Sequence, residues 1–304
     1  MPLPLSGRQV SLRAHDQELT VVEVGGGLRT YSCGGRPVLD AYPEEVMAPG
    51  AHGQVLLPWP NRLGGGAYDF AGVHQQTPLS EPELGNAIHG LTRWLNWSVE
   101  EAAADRATLS LTLHPQPGYP FLLELRLSYA LAPEGLAVTL TARNLGAGPL
   151  PFGAGFHPYL HPGAAHVDEA RLRLPAHTAL EADQQLLPTG RTHAVSGPRE
   201  DFRTPRRIGA EVLDGCFTDL ARDPDGRARV LLAGADGRTV VLWCDTSYRF
   251  LQVFTGDTLA PELRRRGLAV EPMTCPADAF RSGDGLLRLD PGERFEARWG
   301  LYVE

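Results

Sequence analysis

The hydrophobic positions of the chain follow a period of two where the pattern is clearest. Every second residue is leucine in residues 109–113, and a second alternating run covers residues 123–131. Successive side chains of a β-strand point to opposite faces of a sheet, so this alternation predicts strands with one buried face. Pro133-Glu134-Gly135 leads into a third alternating run, residues 136–142, which predicts an antiparallel hairpin.

Predicted turns also separate hydrophobic runs in the rest of the chain. Turn sequences rich in Asp, Pro and Gly recur at residues 223–226, 235–237 and 290–293, between runs of Val, Leu, Phe and Trp. Only two short segments, residues 181–187 and 261–266, suggest helices, and residues 190–207 suggest a long irregular excursion. No repeat or linker divides the chain. The pattern therefore predicts one all-β domain over residues 1–304 with functional loops.

Composition and charge narrow the class of protein. The chain has 304 residues, 42% of them hydrophobic, which is enough to bury a large core. The formal net charge of -8 argues against nucleic acid or an anionic membrane as a partner. No signal-like segment and no apolar run of about 18 residues is evident, so we expect a cytoplasmic protein that does not enter a membrane.

Cysteine and lysine usage limit the chemistry further. The four cysteines are far apart and form no C-x-x-C pair, which fits neither a zinc ribbon nor a small disulfide framework and predicts free thiols. The chain contains no lysine, which excludes Schiff-base chemistry and a lysine-anchored pyridoxal phosphate. An aldehyde handled by this protein must therefore be handled by acid–base chemistry.

Two motifs in the first third of the chain could bind a sugar. Asn61-Arg62 enters a glycine-rich turn, and the planar guanidinium of Arg62 suits vicinal hydroxyls or a carboxylate, although a surface arginine in a hairpin fits as well. His89 lies between Ile88 and Gly90, where a neutral imidazole can hydrogen-bond a sugar oxygen. A structural histidine with satisfied hydrogen bonds is an equally good interpretation of His89.

His157 stands in a segment that fixes its position. Small residues precede it and Pro158 follows it, so the imidazole is placed stiffly, as a general acid should be. His161 is spaced i,i+4 from His157, but a helical metal site needs a helix, and Pro158 argues against one. We therefore predict no metal site here and assign His161 to a loop.

Two carboxylates complete the candidate chemistry. Asp214 stands at a glycine turn before a strand, where turn capping is the simpler interpretation. Glu271 ends an apolar, strand-like run and is followed directly by Pro272. Because a buried acidic residue is costly unless it is paired or used, Glu271 is a functional candidate on its surroundings alone.

Taken together and in this order, the five segments resemble the aldose 1-epimerase family, also called galactose mutarotases, over nearly the whole chain. The matching motifs are Asn61-Arg62, Ile88-His89-Gly90, His157-Pro158-Tyr159, Asp214-Gly215-Cys216-Phe217, and Glu271-Pro272 with Pro276-Ala277-Asp278-Ala279. Each motif alone is weak, but their combination and order are specific. The resemblance implies a large antiparallel β-sandwich of the galactose mutarotase-like type.

The resemblance also implies an isomerase that interconverts the α and β anomers of a free aldohexose, such as glucose or galactose, without a cofactor. Glu271 would be the general base and His157 the general acid. Arg62, His89 and Asp214 would bind sugar oxygens. A nearby carboxylate is expected to raise the pKa of His157 and so keep it protonated near neutral pH. A homodimer is compatible with the sequence.

The chain departs from the family pattern at Trp59-Pro60, Leu91 and Leu160-His161, beside the predicted site, which leaves the preferred sugar open. One alternative is a mutarotase for hexose 6-phosphates, with Arg264-Arg265-Arg266 as the phosphate site, although a solvated charge run explains these arginines equally simply. A second alternative is a non-catalytic sugar-binding protein of the same fold. A third is a glycosidase that uses Asp214 and Glu271, in which the histidines have no clear role.

Overall fold

The computed structural model describes residues 3–304, and these are almost entirely β-structure. Besides the strands there are two 3-10 turns, Pro49–Ala51 and Val167–Glu169, and one short helix, α1 (Ala279–Ser282). In chain order the strands are β1 (Gln9–Ala14), β2 (Gln17–Val22), β3 (Leu28–Cys33), β4 (Arg36–Pro37), β5 (Val55–Leu56), β6 (Arg62–Gly64), β7 (Ala67–Phe70), β8 (Val73–Gln76), β9 (Asn86–Ile88), β10 (Ser98–Ala102), β11 (Arg106–Leu113), β12 (Leu123–Ala132), β13 (Gly135–Asn144), β14 (Leu150–Phe152), β15 (Gly155–Phe156), β16 (Tyr159–Leu160), β17 (Arg171–Arg173), β18 (Ala176–Ala182), β19 (Pro188–Ala194), β20 (Arg206–Arg207), β21 (Asp214–Leu220), β22 (Ala228–Ala233), β23 (Thr239–Cys244), β24 (Phe250–Phe254), β25 (Leu268–Met273), β26 (Leu287–Leu289) and β27 (Arg294–Val303).

Two large antiparallel sheets form the body of the molecule. One has nine strands in the order β10-β11-β12-β13-β27-β23-β22-β17-β20. The other has eight, in the order β19-β18-β21-β24-β25-β15-β5, with β16 also paired to β25. The four-stranded sheet β1-β2-β3-β4 and the two-stranded pairs β14-β26, β6-β9 and β7-β8 complete the structure.

The core lies between the two large sheets, and the strand pattern shows why. Along β12 buried residues alternate with exposed or half-buried ones, as the period of two predicts, so this strand turns one face inward. Across the core, the ring of Phe156 on β15 packs against that of Trp299 on β27, with centroids 5.1 Å apart. The predicted all-β, antiparallel sandwich is confirmed, and buried hydrophobic side chains from Val10 to Leu301 belong to one cluster.

Several local predictions were wrong because pairing with distant strands overrides local preference. Residues 181–187 form no helix: β18 runs to Ala182, paired with β19, and a turn follows. Residues 261–266 are turns rather than a helix. The expected irregular run, residues 190–207, is only partly confirmed, because residues 195–205 form no strand but the segment also contains most of β19 and all of β20. The four cysteines are free thiols, as predicted. No helix among residues 3–304 is both long and apolar enough to cross a membrane.

Candidate active site

Three neighbouring strands of the eight-stranded sheet supply the acidic side of a cleft. Glu271 on β25 stands opposite Gln252 on β24, so both side chains leave the same face of the sheet. The adjacent strand β21 begins at Asp214, whose Oδ1 accepts a hydrogen bond of 2.7 Å from Nε2 of Gln252. Desolvation raises the pKa of Asp214, although the charge of Arg62 and the bond from Gln252 oppose this. Gln252 therefore holds one carboxylate in place near the other.

His157 and Glu271 form the most buried polar pair of the cleft. Nε2 of His157 lies 3.3 Å from Oε1 of Glu271, and the two side chains are only 6% and 3% exposed. Both main-chain polar groups of His157 are bound as well: its N–H donates to the carbonyl of Gln54 over 3.0 Å, and its carbonyl accepts from the N–H of Gly53 over 2.9 Å. The sequence prediction of a stiffly placed imidazole agrees with this arrangement.

His89 enters the cleft from the two-stranded pair β6-β9. Its main-chain N–H donates to the carbonyl of Asn61 over 2.8 Å, and both residues adopt a left-handed backbone conformation that non-glycine residues rarely use. Gly90 follows because a Cβ there would lie 2.0 Å from the carbonyl oxygen of Leu57. This tight corner turns the imidazole of His89 toward His157, with ring centroids 5.4 Å apart in an edge-to-face arrangement.

Arg62 is fixed by a carboxylate that the sequence analysis did not single out. Its Nε and Nη2 donate to the two oxygens of Glu81 over 2.7 and 2.8 Å, a bidentate pair. The side chains are 14% and 20% exposed, so solvent screens this pair less than a surface ion pair. Glu81 therefore orients the guanidinium, and Nη1 is the nitrogen that this pair leaves available to a ligand.

The structure brings all five candidate residues, Arg62, His89, His157, Asp214 and Glu271, to one open cleft of about 490 Å³. This volume lies in the range of small-molecule sites. The other residues that line the cleft are Ala48, Gly50, Ala51, Asn61, Glu81, Leu84, Ile88, Arg93, Trp94, Tyr159, Leu186, Gln252, Phe254, Thr258 and Leu259. Across residues 3–304, no group of three or more His, Cys, Asp or Glu side chains is arranged to hold a metal ion.

Burial sets the protonation of the His157–Glu271 pair. It lowers the pKa of His157 to about 3, and the charges of His52 and Arg93 act in the same direction. It raises the pKa of Glu271 well above its ordinary value, with a further rise from Asp214. The expectation that a neighbouring carboxylate would raise the pKa of His157 is therefore wrong, because loss of solvation is the larger effect. Burial thus favours the state of the pair in which one proton is shared and neither group is charged.

Some buried polar atoms of the residues that line the cleft have no hydrogen-bond partner. Within the described residues, Nδ1 of His89, Nδ1 of His157 and Oε2 of Glu271 are buried and have no hydrogen-bond partner. Buried polar groups are normally satisfied, so unpaired ones at the wall of a cleft favour a ligand that bonds to them. Burial also lowers the pKa of His89 well below its ordinary value, which keeps this imidazole neutral and able to both donate and accept.

Several lining residues were not identified from the sequence, among them Gln252, Glu81, Arg93 and Trp94. Gln252 is a polar residue inside the apolar strand β24, a signal of the same kind as Glu271. Glu81, Arg93 and Trp94 lie in loops, where only the fold shows their position. Conversely, the residues at which the chain departs from the family motifs, Trp59, Leu91 and His161, are not among those that line the cleft.

The triple arginine is also absent from the cleft wall. Arg265 is bound to Asp168 and Asp257, and Arg266 to Asp40. Arg264 donates only to the carbonyl of Leu259 within the described part of the chain. Only Arg264 fits the solvated charge run considered above, since Arg265 and Arg266 are held in ion pairs, and none of the three lines the cleft.

Comparison with known proteins is consistent with this geometry. The family model for aldose 1-epimerase matches residues 8–302. The chain is 37% identical over 300 residues to the uncharacterized protein YihR of Escherichia coli, covering 98% of this chain and 94% of that protein. It is 24% identical over 226 residues to the galactose mutarotase of Homo sapiens, covering 70% of this chain and 64% of the human protein.

The solved structures show the same fold. The crystal structure of galactose 1-epimerase from Lactobacillus acidophilus superposes with a TM-score of 0.81 and 22% sequence identity, covering 97% of this chain and 94% of that one. At this identity the likeness establishes the architecture alone. The galactose mutarotase-like sandwich expected from the sequence is thereby confirmed.

Proposed function

The chain belongs to the aldose 1-epimerase family, and from this premise we propose that it is an isomerase that interconverts the α and β anomers of a free aldohexose, such as glucose or galactose. We expect it to act in the cytoplasm. The observation that carries the proposal is the buried contact of 3.3 Å between His157 Nε2 and Glu271 Oε1 inside an open cleft.

Anomerisation needs one proton removed and one delivered. Glu271 takes the proton of the anomeric hydroxyl while His157 donates a proton to the ring oxygen, and the bond between C1 and the ring oxygen breaks. The product is the open-chain aldehyde. Rotation about the C1–C2 bond and the reverse proton transfers then close the ring on the other face. The pair contains the same number of protons before and after the cycle.

Because His157 and Glu271 are buried, the charged state that ring opening needs must form by proton transfer within the pair. The low pKa of His157 and the high pKa of Glu271 favour a neutral imidazole beside a neutral carboxyl group. Transfer of that proton from Oε1 to Nε2 across the existing contact gives the carboxylate and imidazolium that ring opening uses. When the ring has opened, the proton lies on Glu271 again, which is the state that burial favours.

Three oriented groups would bind the sugar hydroxyls. Glu81 holds the guanidinium of Arg62, and Gln252 holds the carboxylate of Asp214. His89 contributes a neutral imidazole with an unpaired Nδ1. Donors and acceptors on several sides of a cleft are what recognition of a polyhydroxylated ring requires.

A hexose 6-phosphate is a second candidate substrate, and Arg93 is the observation that favours it. Arg93 lines the cleft, and within residues 3–304 its guanidinium makes no ion pair. Burial lowers the pKa of Arg93, although the charge of Glu81 opposes this. A partly desolvated guanidinium without a carboxylate partner suits an anionic substituent, or the hydroxyls of a neutral sugar.

The proposal is tested by following fresh α-D-glucose, α-D-galactose and α-glucose 6-phosphate to anomeric equilibrium by polarimetry or NMR, with and without the protein. Faster relaxation of a neutral hexose supports the first candidate, and faster relaxation of the phosphate alone supports the second. If calorimetry shows that a sugar binds while its relaxation stays at the spontaneous rate, the chain is a non-catalytic sugar-binding protein and the proposal is wrong.

A further inference from the structure

A second buried acid–histidine pair lies behind the cleft. Nε2 of His52 is 3.2 Å from Oδ2 of Asp40, and the two side chains are 2% and 4% exposed. The other oxygen of Asp40 accepts a hydrogen bond of 2.7 Å from Arg266, which is partly open to solvent. Asp40 and His52 are not among the residues that line the cleft, so the sugar-binding roles proposed above do not explain them.

Both ring nitrogens of His52 have hydrogen-bond partners. Nδ1 of His52 contacts the carbonyl oxygen of Pro49, and a carbonyl can only accept, so Nδ1 must carry a hydrogen. Burial alone would raise the pKa of Asp40, but the hydrogen bonds and charges of His52 and Arg266 lower it, so Asp40 is ionised and also only accepts. Both nitrogens of the buried ring are therefore held by fixed partners, which sets the orientation of the ring.

A stack of three rings connects His52 to His157. The ring of His52 lies flat against that of Tyr159, with centroids 3.7 Å apart and an angle of 3° between the planes. Tyr159 stacks in turn on His157 at 5.0 Å and 16°. The hydroxyl of Tyr159 donates to the carbonyl of Gly50 over 2.9 Å, which fixes the middle ring on the same loop that carries His52.

The main chain makes a second connection. Gly53 and Gln54, the two residues after His52, bind the carbonyl and the N–H of His157. Gly53 has a left-handed conformation, and a Cβ there would lie 1.8 Å from the carbonyl oxygen of Leu28, so the loop can take this path only with glycine. The position of His157 is thus tied to His52 through both its ring and its backbone.

We propose that Asp40 and His52 are positioning residues for His157: the buried pair fixes the ring of Tyr159, and through it the imidazole that protonates the sugar ring oxygen. This inference rests on the proposed function for the role of His157. The charge of His52 also has a chemical effect, because it is among the causes that lower the pKa of His157 and so make the imidazolium a stronger acid.

Two variants test the positioning role. His52→Phe keeps an aromatic ring against Tyr159 but removes both hydrogen bonds and the charge. Asp40→Asn keeps the shape of the acid but removes the negative charge that contacts His52 and Arg266. The matched control is Asp69→Asn, in an exposed aspartate–histidine pair with His74 at 3.0 Å that does not line the cleft.

We expect each of the two variants to lower kcat by about tenfold or more with little change in KM, because a small misplacement of a reacting group is costly. The control variant should match the wild type. Folded variants whose kcat equals that of the control would overturn the proposal. A raised KM with unchanged kcat would do the same, since it would place the pair in substrate binding.

Nitrogen NMR of histidine-labelled protein keeps the proposal testable if a variant does not fold or if the wild type proves inactive. The ring signals of His157 should be the same in the wild type and in Asp69→Asn, whereas Asp40→Asn should shift them. If the wild type shows no epimerase activity, the proposed function is refuted but the positioning role is not. In that case, ring signals of His157 that shift in Asp40→Asn but not in Asp69→Asn still support the positioning role, and unshifted signals contradict it.

Discussion

Replacing Glu271 by glutamine separates the chemistry of the cleft from its shape. Glutamine has nearly the volume of glutamate, so it can fill the same buried position, where the native side chain is 3% exposed. It can still contact Nε2 of His157, but it can neither remove the anomeric proton nor exchange a proton with the imidazole. Glu271→Gln therefore removes the proposed base while it leaves Arg62, His89 and Asp214, the proposed sugar-binding groups, in place.

The expected loss follows from what the base contributes. General base catalysis is worth about 10² to 10⁴ in rate, so kcat should fall by about that factor. This corresponds to about 3 to 6 kcal/mol of barrier at about 1.4 kcal/mol per tenfold change. KM should change little, because the base is needed only while the proton moves.

The same change should not weaken the fold. Burial raises the pKa of Glu271, so the folded protein keeps a proton that the unfolded chain loses near its ordinary pKa, about pH 4. The stability due to this group is present below that pH and is lost as pH rises toward the folded pKa. Glutamine does not titrate, so in mildly alkaline buffer the Tm of Glu271→Gln should equal or exceed that of the wild type.

The assay is the initial rate of anomerisation against sugar concentration, corrected for the spontaneous reaction. Glu134→Gln, in the exposed turn between β12 and β13, is the control for loss of one carboxylate and should behave as the wild type does. If Glu271→Gln keeps its kcat and changes only KM, while Asp214→Asn loses kcat, the base has been assigned to the wrong carboxylate and the two roles must be exchanged.

Three further outcomes are expected. Asp214→Asn should mainly raise KM, by a factor that corresponds to about 1 to 2 kcal/mol of binding free energy, because it weakens a charge-assisted hydrogen bond to a sugar hydroxyl. An unchanged KM would show that Asp214 does not bind the sugar. Glu81→Gln should also raise KM, through an Arg62 that is no longer held in place, and a calorimetric affinity equal to that of the wild type would contradict this. Because burial lowers the pKa of His157 and raises that of Glu271, kcat/KM should form a broad plateau around neutral pH. It should fall in acid, where the pair gains a second proton, and in alkali, where the pair loses its last proton. A narrow optimum near the ordinary pKa of histidine would argue against the shared proton.

The parts of the fold that the sequence predicted are those set by local pattern. The runs in β11, β12 and β13 alternate because each strand has one face in the core, and that alternation is visible residue by residue. The false helix at residues 181–187 shows the limit. Its local composition allows a helix, but pairing with β19 extends β18 to Ala182, and nothing near that segment in the sequence reveals the partner.

The residues of the candidate site also fall into two groups, those that the local sequence reveals and those that only the fold reveals. Glu271 and His157 could be selected because their immediate neighbours are unusual for a charged or titratable residue. The groups that orient the site could not, since each acts on a residue far along the chain. Gln252 reaches Asp214 across 38 positions, and Glu81 reaches Arg62 across 19, through strand registers and loops that exist only in the folded protein.

The pKa of His157 shows why composition and motif cannot set the chemistry by themselves. A motif places a carboxylate beside the imidazole, and in water that contact would raise the pKa of the histidine. The fold adds burial of both groups, which disfavours the states of the pair with two protons and with none, since each carries a net charge. The state with one proton is neutral as a whole and persists between them. Desolvation thus favours the one-proton state from which the proposed exchange of protons with a sugar would start, and His52 is among the causes that lower the pKa of His157.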